Sequence, residues 1–490
     1  MGILDVFKRS PKKEIVRRGY SGVNTNRLFS DFVASERSAD SELRGALKEL
    51  RNRSRDLSMN NEYAKRYFEL LKVNVIGDKG VFYQSKAIDS IGQLDQNGNE
   101  AVEAAFRRWG KYGNPTVDGK MSWIDVQKLA IELVAKDGEA FIVKHRTSAF
   151  HDSFALEFIE ADQIDEQLNK RLENGNEIRM GIEVDRFKKP VAYHILTYHP
   201  GDYDFASSKR SPKHTRMPAD RVIHLFKQIR PGQTRGEPWL TPAIPAIKQL
   251  GAFREAAVIN ARVGASKMGF FKVQASDGFI ADDYEDNSPI VTAEPGSFHM
   301  LPAGVEFSSF EPAFPSNEFD SFHKSILRGI ASGLGVSYTS LSNDLEATSY
   351  SSIRQGALEE RDFYRNMTMF VIEHFIRPVF DSWLAAAMEM NAFGIPLRQY
   401  DRFSDAAEFR GRGFSWVDPL KEMNASVTGL KNGILSLGHI AGQYGMDSEE
   451  LLSQIARDKQ LAEQFGVQYA IEPYGSQRQA NVSVVEDEDG

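Results

Sequence analysis

The 490-residue sequence contains no cysteine. Disulfide scaffolds, cysteine-ligated zinc, iron–sulfur clusters and thiol nucleophiles are therefore excluded. No apolar run approaches the ~20 residues that span a bilayer, so no membrane partner is expected. The opening MGILDVFKRSPKKE places a short apolar start before its charge, the reverse of a secretory leader. Gly2 is not followed by Ser or Thr at position six, where Val6 stands, so a myristoylation motif is incomplete. The nucleotide-binding GxxxxGK[ST] loop is missing; GQTRGEP from Gly232 lacks the lysine. There is no GxSxG elbow and no HExxH pair. The ten histidines are scattered without acidic partners at ligand spacing, so neither a metal nor another cofactor is expected. The carboxylate pairs Asp282–Asp283 and Glu359–Glu360 are sequence neighbours, which do not share a helix face; each reads as solvated charge. An enzyme has no residues to stand on here. Also missing is the basic excess of a protein that grips phosphates: 60 Lys+Arg face 68 Asp+Glu, for a net charge of −8.

What is present reads as several modules, since one core does not organise this much chain. Residues 1–60 carry 13 Lys+Arg and 8 Asp+Glu and form a basic arm entering a helix, with Leu43, Leu47 and Leu50 at helical spacing. A second helix is expected from Asn60. Short β-branched and aromatic runs follow, at VFYQSKAI, EAFIVKH, ALEFIEA, PVAYHILTYHP and RVIHLF, with helices at 102–109 and 123–135. Residues 61–237 thus predict an α+β module. Thr241–Pro242 suits the start of a helix that meets no strong breaker before Gly264 and is rich in small residues, among them Gly251, Ala252 and Ala256. Residues 269–312 are β-like and hold eight acidic residues against Lys272 alone, among them Asp282, Asp283, Glu285 and Asp286. The next helix puts Phe319, Phe322, Ile326 and Ile330 on one face and Asp320, Lys324 and Arg328 at four-residue intervals on another. Gly333–Tyr350 reads as a loop, and Ser352 with Gln355 as the capping box of a long helix kinked at Pro378. Short helices are expected over 419–430, 439–444 and 448–465. The last twenty residues end in EDEDG and predict a disordered acidic tail.

Three stretches carry a resemblance. RVIHLFKQIRPGQTRGEPWLTPAI (Arg221–Ile244), PGSFHMLPAGVEF (Pro295–Phe307) and RGIASGLGVSYTSLSNDLEATSYSSIR (Arg328–Arg354) resemble the signature blocks of lambda-family phage portal proteins. The third departs from the family pattern at Thr348, where Asn is usual, and keeps Tyr350-Ser351-Ser352 and Arg354. WVDPLKEMNA, GIEVDRFKKPVAYHI and KDGEAFI fit in the same order, so the match spans most of residues 40–460.

The resemblance implies an α+β multidomain portal fold. After the arm and first helix (1–60) come a wing (61–237), a stem helix (238–268), a β-rich clip (269–312) and a second stem helix (313–335). A tunnel loop with a long kinked helix (336–390), a helical crown (391–470) and the acidic tail (471–490) complete it. It further implies a non-catalytic ring, usually of twelve copies, at one capsid vertex of the virion, assembled in the host cytoplasm. Double-stranded DNA is packaged through such a ring by terminase and leaves into the tail without specific binding. Its other partners are head-completion or adaptor, major capsid and scaffold proteins. On this reading Asp320, Lys324, Arg328, Asn343, Asp344 and Glu346 face the DNA channel. Asp282, Asp283, Glu285 and Asp286 would dock terminase and the connector, and Gly251, Ala252 and Ala256 would set ring packing. Another capsid or scaffold component and a phage nucleic-acid-processing enzyme are the alternatives; rings under the microscope separate them.

Overall fold

A computed structural model of the chain describes residues 36–202, 214–265, 269–273, 305–309, 319–346, 349–414, 419–444 and 446–467. The first helices are α1 (Ala39–Asn60) and α2 (Glu62–Leu71), and both begin where a side chain accepts the orphaned first-turn amides. Ser38 accepts from Ser41, and Asn61 from Tyr63 and Ala64, so the second helix starts two residues later than the pattern predicts. A π-helical turn, Lys72–Ile76, ends α2 at Gly77. After β1 (Phe82–Ser85) come α3 (Gln96–Trp109) and α4 (Trp123–Asp137); Ser122 and Asp125 form a reciprocal capping box at the latter's start.

The predicted strand runs form β2 (Glu139–Arg146), β3 (Phe154–Ile159), β7 (Pro190–Leu196) and β9 (Val222–Phe226). Shorter strands fill the gaps: β4 (Lys170–Arg171), β5 (Glu177–Arg179), β6 (Ile182–Val184) and β8 (His214–Pro218). They make two antiparallel sheets, of order β3-β2-β9 and β4-β5-β6-β7-β8. The alternation along β2 explains why its sequence is an unbroken apolar run. Ala140 and Ile142 enter the main core, while Phe141 and Val143 enter a smaller core with Ile182, Val184 and Tyr193 from the five-stranded sheet. Both faces of the strand are covered over residues 140–143, so both are apolar there.

Helix α5 (Ile244–Ala265) begins after Pro242 rather than at it, because Pro245, whose missing N–H is harmless only in a first turn, sets the first turn there. Strands β10 (Gly269–Val273) and β11 (Val305–Ser309) pair antiparallel, Gly269 opposite Ser309. Helix α6 (Phe319–Leu334) buries Leu327, Ile330, Ala331 and Leu334. Its expected apolar face is thus only partly correct: Phe322 stays 52% exposed. The segment read as a loop contains a short helix, α7 (Tyr338–Ser342).

The long helix runs as α8 (Tyr350–Val371), a π-helical turn at Ile372–Ile376, and α9 (Arg377–Glu389). Ser349, not Ser352, caps it and accepts from the Ser352 amide; Gln355 donates to Glu359 instead of completing a box. Pro378 lacks an N–H and crowds the carbonyl four residues back, and the wide turn just before it takes up that mismatch. Then come α10 (Tyr400–Asp405), β12 (Ala407–Arg410), α11 (Pro419–Lys431), α12 (Leu437–Gln443) and α13 (Ser448–Gln464). Strand β12 pairs with β1, Phe82 opposite Arg410, and ties the late chain to the early one. The main core runs through this junction, with Trp109, Trp123, Phe154, Phe375, Phe380 and Trp383 at its centre.

Candidate functional site

The channel residues expected on α6 and in the following loop come together in one cluster. The loop's path is fixed locally: Gly335 at φ +72° and Asn343 at φ 56° take left-handed turns on either side of α7. Past Asn343, Asp344 accepts from the Glu346 amide at 2.9 Å and from the Tyr338 hydroxyl at 2.7 Å. Lys324 Nζ then lies 2.8 Å from Asp320, 3.5 Å from Glu346 and 3.6 Å from Asp344. The hydrogen bond to Asp320, followed by the fields of the three carboxylates, raises the Lys324 ammonium above its ordinary range. The Tyr338 hydroxyl, the Glu346 amide and Lys324 lower the Asp344 carboxyl. One turn on, the Arg328 guanidinium lies 5.2 Å from the centre of the Tyr338 ring. Asn343 enters through its backbone rather than its side chain.

The base of this loop hangs on a residue that sequence reasoning missed. Glu360 is buried and accepts from Ser337 at 3.0 Å, Ser340 at 2.7 Å and Tyr364 at 2.7 Å. The reading of Glu359–Glu360 as solvated charge is therefore wrong for Glu360. The signal was there: Glu360, Tyr364, Met367 and Val371 follow helical spacing, so Glu360 sits on the buried face of α8.

Helices α5 and α6 meet through aromatic rings. Phe253 stacks on Phe319 at 5.2 Å and meets Phe322 edge-on at 5.1 Å. Arg254 pairs with Glu62 and lies over the Tyr63 ring. Of the residues expected to set ring packing, Ala252 and Ala256 are exposed and Gly251 is half-buried, with nothing within 4 Å of where a Cβ would stand. The expected docking residues Asp282, Asp283, Glu285 and Asp286 lie outside the described residues, as do the arm before residue 36 and the acidic tail.

A second charged cluster is buried between α1 and the 61–237 segment. Glu139 is fully enclosed and accepts from Arg51 (2.9 Å), Arg235 (2.9 Å), His224 (2.9 Å) and the Gly236 amide (3.1 Å). Burial alone would raise its carboxyl, but Arg235 and His224 outweigh burial and hold it well below the usual range. Arg235 also donates to the carbonyls of Met180 (2.7 Å), Ile164 and Ala161, so one side chain fastens three turns of backbone. A Cβ on Gly236 would stand 2.0 Å from the Gly138 carbonyl oxygen, which is why glycine follows this arginine.

Glu160, Asp162 and His199 also converge, with ligand atoms within 4.8 Å of one another. The arrangement suits ion pairs better than a cation. His199 Nδ1 accepts from the Gly201 amide, and its Nε2 lies 3.1 Å from Glu160. Asp162 is already engaged by Arg51 and Arg55.

A family profile described as "Phage portal protein, lambda family" matches residues 25–367. The chain is 35% identical over 437 residues to the probable portal protein of Halomonas phage phiHAP-1, covering 88% of this chain and 83% of that one. It is 25% identical to the portal protein of Escherichia phage N15 (83% of each chain) and 23% identical to portal protein B of Escherichia phage lambda (83% and 82%). With the family profile matched over more than half its length, this chain belongs to the lambda family of phage portal proteins.

Proposed function

We propose that this chain is the subunit of a ring at one capsid vertex of the virion, through which terminase packages double-stranded DNA and through which the DNA leaves. The ring assembles in the host cytoplasm from about twelve copies, the number usual in the family it resembles, and performs no chemistry of its own. Segments 238–268 and 313–335 serve as its stem, 336–351 as the loop nearest the DNA, 269–312 as the clip, 61–237 as the wing and 391–470 as the crown. Asp282, Asp283, Glu285 and Asp286 of the clip meet basic surfaces of terminase and of the head-completion proteins.

The observation that carries the reading is the capture of Lys324 by Asp320, Asp344 and Glu346. A conduit must let DNA pass without holding it, and each free lysine or arginine along the path adds sequence-independent affinity for phosphate. Of the two cations of the α6 stripe, Lys324 is held by carboxylates, and the exposed Arg328 lies over an aromatic ring. The lysine of α6 is therefore neutralised within the chain and offers little to a passing duplex.

Negative-stain microscopy of the purified full chain tests the reading first; rings with a central hole are expected, and globules or rods overturn it. Deleting residues 343–347 then tests the loop. Rings should persist while terminase-driven packaging or DNA retention falls, and normal packaging removes the loop from the conduit.

A further inference from the structure

The loop that carries Arg235 toward Glu139 also builds one wall of a groove. It is held from within and from outside. Gln233 accepts from the amides of Ile229 (2.9 Å) and Arg230 (3.2 Å) and donates to the Arg235 carbonyl (2.8 Å). Asp40, in the first turn of α1, accepts from the amide and the hydroxyl of Thr234, each at 2.7 Å. Between this loop and α1 lies a groove of about 210 Å³. Leu43, Ala46 and Leu50 line it from α1 at helical spacing, and Ile229 and Glu237 line it from the loop. Ile229 is 57% exposed on a loop too tightly tied to bury it. Glu237 is half-buried and has no hydrogen-bond or ion-pair partner among the described residues, and burial alone raises its carboxyl. Arg230, in the same lining, is committed elsewhere: it donates to Glu42 at 2.6 Å and to the Arg37 carbonyl at 3.1 Å.

We infer that residues 27–33 of the same chain, RLFSDFV, dock in this groove, with an aromatic side chain between α1 and Ile229 and with Arg27 against Glu237. Three observations select this occupant. The described chain begins at Glu36, and Arg37 is already bonded to Arg230 on the rim, so the residues before it start at the groove. From Arg37 back to Val33 the chain spans at most ~14 Å, and back to Arg27 ~35 Å, against about 16 Å of groove from Ala39 to Leu50. Charge is complementary. Residues 1–35 hold seven Lys+Arg against Asp5, Glu14 and Asp31, whereas the lining sets Glu42 and Glu237 against Arg230. Size and polarity match as well. Leu28, Phe29, Phe32 and Val33 supply apolar side chains, and a cavity of roughly 150 Å³ is enough to take a benzene ring. A filled groove would brace the loop that delivers Arg235 to Glu139.

The absence of cysteine makes disulfide trapping in the full chain a direct test. Ile229→Cys is paired in turn with Leu28→Cys, Phe29→Cys, Phe32→Cys and Val33→Cys, and each variant is oxidised and separated without reductant. At least one pair should give a linked peptide in the digest of the single-chain band. Linkage found only between chains means that a neighbouring copy's arm fills the groove, and no linkage in any pair leaves it to a different partner or to solvent; either result overturns the proposal. Hydrogen exchange supplies the second readout. Residues 27–33 should be protected in the parent, and exchange there as fast as in an open chain overturns the docking. In Ile229→Ser/Glu237→Gln that protection should fall about tenfold while β2 keeps its own, and equal protection in parent and variant also counts against it. If those substitutions disturb β2, Arg27→Gln combined with Phe32→Ser leaves the groove itself intact and carries the same comparison.

Discussion

The cluster around Glu139 and the cluster around Lys324 use the same chemistry to opposite ends. Each gathers several opposite charges within hydrogen-bond distance, but the first is sealed and the second stands in water. Arg235, Arg51 and Glu139 are 0–1% exposed, whereas Asp320 is 70% and Glu346 82% exposed at the side chain. Enclosed charges that lose a partner are left uncompensated in a poor dielectric, so the Glu139 cluster is an all-or-none fastening. Charges in water lose little when parted, so the Lys324 cluster can open without unfolding anything. The first arrangement suits a rigid frame that keeps its outline, and the second a loop that can yield.

The largest expected effect breaks the rigid side. Arg235→Met removes one of the two arginine partners of Glu139 and the donor to three backbone carbonyls, and about 3–5 kcal/mol of stability should be lost in urea unfolding. A loss near zero would mean that the Glu139 cluster is no more a fastening than the exposed one. Glu360 comes next. Glu360→Ala strands the hydroxyls of Ser337, Ser340 and Tyr364, so a loss of roughly 1–3 kcal/mol is expected. Hydrogen exchange should localise the loosening to residues 337–342. If the loss spreads evenly over the chain, Glu360 is a core group and not the anchor of the loop.

The frame should also respond to acid. Glu183 is held at about 2, first by the hydrogen bond from Arg216 at 2.7 Å, against burial. A carboxyl depressed in the folded state stabilises above its unfolded value of about 4.3, and that contribution is lost as pH falls toward 2. Arg216 is half exposed, so solvent screening limits the effect to roughly 1–2 kcal/mol. Stability measured from pH 6 to pH 3 should therefore fall, and the fall should shrink in Arg216→Met. An identical acid profile in that variant removes Glu183 from the account.

How legible all this was depended on the range of the interaction. Strands β2 and β9 announced themselves because both faces of each are buried, which leaves mostly apolar runs whose few polar members, such as His224, are paired. Helix starts were misplaced by two or three residues where competing caps stood close together, Ser349 against Ser352 and Pro242 against Pro245. The Lys324 cluster was half legible: its members were named on two separate segments, but nothing local says that Asn343 turns the chain back toward α6. The pairing of Phe82 with Arg410 and the bond from Arg51 to Glu139 were invisible, since neither leaves a periodic trace. Glu360 was legible and overlooked, because its neighbour Glu359 drew the eye to a pair when the helical face was the better guide.

The smallest effect sharpens the yielding side. Lys324→Met removes the one cation shared by Asp320, Asp344 and Glu346, yet the urea midpoint should not move measurably, because these groups are solvated once parted. The change should appear as faster hydrogen exchange at Asp344–Glu346, with α7 still protected by Glu360. High salt applied to the parent should produce the same local loosening, since the Debye length falls to about 3 Å at 1 M and exposed pairs are screened first. The Tyr338 hydroxyl would still hold Asp344, so Tyr338→Phe combined with Lys324→Met should loosen the loop further than either alone. A midpoint shift as large as that of Glu360→Ala would show that the loop is fastened as firmly as the surroundings of Glu139, and the contrast between the two clusters would fail.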